Sequence, residues 1–265
     1  MSNSFNEKIL NAVSDIATIV NNPFKDKWVS ILGDSISTYK GYIPEGNATQ
    51  YPSGDVDDVS KTWWHQLLTK LGAKLCVNNS WSGRQVCGLA EDEAVNAIGK
   101  LHRVKGSKYI NLDGTTEEAT ANIQPDIILI MLGVNDFYHD ITLGSYTVAK
   151  CKDNSTDFYT AYNSMLLTLI GTNYQKAQVY CLSTPYMDKF SFMGTNTNNN
   201  TQIEFNEAIE KEANLFGIHF IKLSNLNINA GNNATYLIDK LHPKAVMMTM
   251  IANQCYNSMR ANNCL

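Results

Sequence analysis

Five short runs of apolar and β-branched residues, at 28–32, 74–78, 126–132, 178–184 and 218–223, constrain this chain more than any other feature. Runs of that length and character read as strands buried inside a sheet. The segments between them at 61–71, 86–100, 157–170 and 202–216, and a last one at 243–259, carry helical periodicity. Parallel neighbours need crossover connections, and a sheet apolar on both faces must be covered on both. The alternation therefore predicts an α/β chain, a three-layer α/β/α sandwich on a five-stranded parallel sheet. Pro243 suits the first turn of the last helix, and Gly217 suits the end of the helix before strand five.

Residues 39–60, rich in Gly, Pro and Asp, and 102–124, with its turn-like Asp113-Gly114, fall outside the alternation and are expected as loops on one domain. The Asn/Thr-rich tract 195–201 is expected as a flexible surface loop. The 265 residues divide into a helix or linker at 1–22 and one domain at 23–265. Within the first segment Ile9, Val13, Ile16 and Val20 repeat at spacings of four and three, as in a coiled-coil seam. A helix packed on its own domain, a linker helix, or a stalk joining identical subunits into a homo-oligomer would each explain that pattern.

A net charge of −4 without a Lys/Arg cluster gives no footprint for nucleic acid. The longest apolar run, 127–132, is far too short for a membrane span, so a soluble chain with no membrane partner is expected. Residues 1–20 mix polar and charged residues with apolar ones and carry no secretion signal, which makes the cytoplasm the default location. The six cysteines, at 76, 87, 151, 181, 255 and 264, show no C-x-x-C pair and no zinc spacing. Free thiols are expected, with Cys76 and Cys181 as small buried hydrophobes and a bridge between Cys255 and Cys264 left open.

In an open α/β sheet ligands bind outside the carboxyl ends of the strands. Gly33-Asp34-Ser35 follows strand one, Asn79-Ser80-Trp81-Ser82-Gly83 strand two, Gly133-Val134-Asn135-Asp136 strand three, and Asp239-Lys240-Leu241-His242 precedes the last helix. Each alone is ordinary turn or cap chemistry. Together they supply what acyl transfer needs: a nucleophile, a base, a group that orients the base, and donors for the oxyanion. Ser35 is the nucleophile, His242 the base, and Asp239, three residues earlier, the carboxylate that sets its tautomer. The N–H groups of Ser35 and Gly83 and the side-chain amide of Asn135 form the oxyanion hole. Asp34, Trp81, Arg84, Tyr138 and His139 are the candidates for bordering the substrate. His65, on an amphipathic helix, and His219, in a strand-like run, read as structural. Trp63 and Trp64 read as helix packing.

These blocks resemble the SGNH, or GDSL, hydrolase superfamily of esterases, lipases and carbohydrate deacetylases. The match runs through Gly33-Asp34-Ser35, with Ile36 where the family often has leucine, then Asn78-Asn79-Ser80-Trp81-Ser82-Gly83, Gly133-Val134-Asn135-Asp136 and Asp239-Lys240-Leu241-His242-Pro243. It spans about 28–259. The resemblance implies a flavodoxin-like sandwich with a rather exposed active site, no metal and no cofactor, and it assigns the same roles to Ser35, Gly83, Asn135, Asp239 and His242. No long apolar segment suggests a lid or an acyl tunnel, so the expected substrate is a short acyl ester, foremost an O-acetylated carbohydrate, with a short-chain lipid ester as an alternative. A second class of reading makes the chain a glycan-binding or structural module of an assembly such as a phage tail fibre. The N-terminal helix motivates it, and the chain would then be virion-associated.

Overall fold

A computed structural model describes residues 22–88, 108–149, 157–188 and 194–262. The predicted helix at 5–20, most of the one at 86–100, and Cys151, Cys264 and His102 lie outside the described residues. All five predicted strands form: β1 (Trp28–Gly33), β2 (Lys74–Ser80), β5 (Ile127–Met131), β6 (Gln178–Leu182) and β7 (His219–Ile221). They pair in parallel in the order β2-β1-β5-β6-β7. β5 is buried along its whole length, as a central strand covered on both faces must be.

Among the described residues, four helices cover this sheet. They are α1 (Trp63–Leu71), α3 (Phe158–Thr168), α4 (Gln202–Leu215) and α6 (Ala245–Asn262), and two short ones, α2 (Val134–Tyr138) and α5 (Asn233–Tyr236), lie between them in sequence. The Thr62 hydroxyl caps α1, and Gly72, in the left-handed region, ends it. Thr201 and Glu204 form a capping box on α4. From β1 the chain crosses through α1 to β2, then comes back past β1 to β5 and continues outward to β6 and β7. Right-handed crossovers in opposite directions place α1 on one face and α3 and α4 on the other. The packing agrees, with α1 against α6 and α3 against α4. The reversal at β1 and β5 is the topological switch point, where such sheets bind ligands.

Three expectations need correction. Residues 102–124 are not all loop, because β3 (Lys108–Ile110) and β4 (Thr116–Glu118) pair as an antiparallel hairpin around Asp113-Gly114. The Asn-rich tract is ordered: Asn196 accepts from the N–H groups of Asn198 and Asn200, and Asp140 accepts the Thr197 N–H on its carboxylate. Short Asn side chains can stand in for backbone partners, so a polar tract need not be floppy. Pro243 stands ahead of the last helix, bridged to Leu237, and the helix begins at Ala245. Cys76, Cys181 and Cys255 are buried and Cys87 is partly buried, none of the four in a disulfide. No described helix is long and apolar enough to cross a membrane.

Candidate active site

Ser35 sits where β1 runs out into a single 3-10 turn, Ser35–Ser37. The Asp34 carboxylate caps that turn by accepting the Ile36 N–H at 2.9 Å, and the Thr38 hydroxyl closes it on the Ser35 carbonyl. Neighbouring elements hold the turn as well. Asn78 on β2 donates to the Ser37 carbonyl at 2.8 Å, and the Trp63 indole N–H on α1 donates to the Ser37 hydroxyl. The approach is so close that a Cβ on Gly33 would stand 2.6 Å from Ser37 Oγ and 2.8 Å from Ser80 Oγ. Only glycine fits there.

His242 arrives from the other end of the chain in a tight turn. Asp239 Oδ1 accepts the N–H groups of Leu241 and His242, which folds the carboxylate back under the ring. Asp239 Oδ2 then lies 2.7 Å from His242 Nδ1, and His242 Nε2 lies 3.0 Å from Ser35 Oγ. A carboxylate only accepts, so a neutral imidazole in this arrangement carries its proton on Nδ1 and offers Nε2 to the Ser35 hydroxyl. Partial burial works to raise the Asp239 pKa. The hydrogen bonds from the His242 N–H and imidazole and from the Leu241 N–H outweigh it and hold the carboxyl below its ordinary range. Lys240, at φ 68°, takes the left-handed conformation the turn demands.

The loop after β2 and the short helix after β5 supply the candidate oxyanion donors. Gly83, at φ 86°, is exposed, and among the described residues neither its N–H nor that of Ser35 has an acceptor. Helix α2 carries Asn135, whose side-chain amide donates to the Arg84 carbonyl at 3.1 Å and has a second hydrogen to offer. The next residue, Asp136, accepts the N–H groups of Val86 and Cys87 at about 3 Å and so ties the β2 loop to the β5 loop. Sequence reasoning gave Asp136 no role of its own, because its partners lie fifty residues away.

Of the residues expected to border the substrate, Trp81 and Tyr138 are partly exposed and His139 is exposed. Arg84 and Asp34 are buried and committed elsewhere: the Arg84 guanidinium donates to the Asn79 carbonyl and lies 5.9 Å from the Trp81 ring centre. Burial raises the Asp34 pKa to about 7, with the Asp136 carboxyl adding to the shift and Arg84 opposing it. Burial likewise raises Asp136 to about 6 against its backbone hydrogen bonds. His65 bonds the Leu112 carbonyl and His219 stacks on Tyr180, both structural as expected. Among the described residues no His, Cys, Asp and Glu side chains group as a metal ion would require.

A doubly wound α/β sheet with a serine, a histidine and an aspartate bonded in series at its carboxyl edge has the arrangement that serine hydrolases use. This chain belongs to the GDSL-like lipase/acylhydrolase family, whose model matches residues 27–259. It is a serine esterase. A Bacteroides uniformis structure described as a GDSL-like lipase is 25% identical, with a TM-score of 0.60, over 89% of this chain and 96% of its own. A second such structure, from Bacteroides ovatus, is 26% identical at a TM-score of 0.59, over 89% of this chain and 99% of its own. An acetylxylan esterase from Geobacillus stearothermophilus shares the fold at 14% identity and a TM-score of 0.56, over 89% of this chain and 95% of its own. No curated protein matches the chain.

Proposed function

We propose that the protein removes short acyl groups, acetyl foremost, from O-acylated carbohydrate, with Ser35 as nucleophile, His242 as base and Asp239 as the group that orients and charges the base. The observation that carries this reading is the continuous chain from Ser35 Oγ through the imidazole to Asp239, at 3.0 Å and 2.7 Å. Ser35 attacks the ester carbonyl as its proton passes to Nε2, and the imidazolium is stabilised by the Asp239 carboxylate. The negative oxygen of the tetrahedral intermediate is met by the N–H groups of Ser35 and Gly83 and the free hydrogen of Asn135 Nδ2. Collapse returns the proton to the departing sugar hydroxyl and leaves an acyl-serine. Water, activated by the same histidine, then releases the acid.

The substrate class is supported by the partly exposed Trp81 and Tyr138 beside these groups, since aromatic rings suit the apolar face of a sugar. A fold neighbour that is an acetylxylan esterase agrees with it. The test is acetate release from acetylated oligosaccharides by the wild-type protein, with Ser35→Ala as control, beside p-nitrophenyl acetate and palmitate. Expected are turnover of acetyl esters, little of the palmitate, and none by Ser35→Ala in a folded protein. Retained turnover by Ser35→Ala would remove Ser35 as the nucleophile, and a preference for palmitate would overturn the acyl class.

A further inference from the structure

Residues 39–60, expected from sequence as a loop, run as a strap past three parts of the candidate site. Asn47 donates to the Ser80 carbonyl and the Ala48 carbonyl accepts the Ser82 N–H, so the strap grips the loop that bears Gly83. The Gln50 N–H bonds the Thr38 hydroxyl, which in turn bonds the Ser35 carbonyl. Beyond these contacts lies Tyr51, fully buried in a segment otherwise rich in small and polar residues. Its hydroxyl donates 2.8 Å to the Pro243 carbonyl, directly after His242, and its ring meets the imidazole edge-on at 6.5 Å and 87°. Asp55 accepts the Ala245 N–H at 2.9 Å, where the last helix begins. The turn that carries His242 is thus anchored to the strap at two points.

We propose that Tyr51 is a positioning residue, holding the His242 imidazole in line between Asp239 and Ser35 through its hydroxyl bond to Pro243 and its ring contact. The inference rests on the reading of Ser35, His242 and Asp239 given above. A base held a fraction of an ångström off line remains present and chemically intact, yet spends less time within reach of the serine proton. The cost therefore falls on kcat, while binding of the ester is untouched. Neither the hydroxyl nor the ring of Tyr51 touches the reacting atoms in this scheme.

Steady-state hydrolysis of p-nitrophenyl acetate by Tyr51→Phe should show kcat lowered by about tenfold with KM unchanged. Tyr51→Leu, which also removes the ring, should lose more. Tyr39→Phe, from the same strap but with its hydroxyl on the Asp57 carbonyl, should match wild type. A low-field proton resonance from the Nδ1–H held by Asp239 should be seen in the wild type and should broaden or vanish in Tyr51→Phe, which a merely structural tyrosine would not cause. Should Tyr51→Phe not fold, Asp55→Ala frees the second anchor and should lower kcat with KM unchanged. The proposal is overturned if Tyr51→Phe turns over like wild type, if the loss lies in KM, or if the resonance is unaltered. An inert Ser35→Ala beside a wild-type-like Tyr51→Phe would sink this inference alone. An active Ser35→Ala would sink the assignment beneath it.

Discussion

Replacing Asp34 by Asn should flatten the pH dependence of stability between pH 5 and 8. Asp34 is wholly buried, its Oδ1 accepts the Ile36 N–H, and its Oδ2 has no partner among the described residues. Burial moves its pKa from 3.8 up to about 7, so between those values the folded protein holds a proton that the unfolded chain has released. A carboxyl raised in this way stabilises the fold at low pH and loses that contribution as pH climbs through its folded pKa. Each pH unit in that window is worth about 1.4 kcal/mol, so going from pH 5 to pH 8 costs about 3 kcal/mol, the loss levelling off above pH 7. For a domain of this size that is a fall of roughly 5–10 °C in Tm. Asparagine keeps the oxygen that caps Ile36 and cannot ionise. Thermal unfolding followed by circular dichroism across pH 5–8 should show the wild type falling more steeply than Asp34→Asn by that amount, and the variant melting higher at pH 8. Glu212 titrates in both proteins and cancels, so the difference between the two curves reports Asp34 together with its coupling to Asp136. Parallel curves would show that Asp34 is ionised in the fold well below pH 7 and would refute the reasoning.

Two further substitutions probe the rest of the site. Asn135→Ala removes one of the proposed oxyanion donors and should lower kcat by about 10²–10³ with little change in KM, read by steady-state hydrolysis of an acetyl ester. A kcat close to wild type would exclude Asn135 from the oxyanion hole. Gly33→Ala puts a methyl 2.6 Å from Ser37 Oγ and 2.8 Å from Ser80 Oγ, so the Ser35 turn and β2 must move apart. It should destabilise by about 1–3 kcal/mol in denaturant unfolding, and an unchanged midpoint would show that the contact relaxes freely.

What could be read from sequence had local causes. A buried parallel strand is a run of apolar residues, and the helices that cover it show their period, so all five strands and the helices α1, α3, α4 and α6 were visible to within a few residues at their ends. Helices α2 and α5, of five and four residues, are too short to show a period and escaped notice. The hairpin β3–β4 escaped too, because its strands have three residues each and Thr116–Glu118 is exposed throughout. The candidates Ser35, His242 and Asp239 could be picked out because Ser35 follows the end of a strand and the other two precede the start of the last helix. Asp34 and Arg84 show the limit of that logic. Both adjoin site residues in sequence, yet their side chains turn inward, to the Ile36 N–H and the Asn79 carbonyl.

The positions of the candidate reacting groups come in part from residues that no motif names. Pro243 takes its bond from Tyr51, 192 residues away, and the loop bearing Gly83 is held by Asn47 from the strap as well as by Asp136 of helix α2. Most of these are side chains meeting backbone groups, so what they recognise is the path of the partner chain rather than its residue types. Such contacts leave no trace in spacing or composition, because any loop of the right course offers the same carbonyl. The blocks at the strand ends therefore specify which chemistry is available, while the angle and reach of His242 over Ser35 depend on how far the strap and the β2 loop are pinned. Substitutions in residues 39–60 should for that reason change rates more than they change which esters are accepted, unless they reach the partly exposed rings of Trp81 and Tyr138.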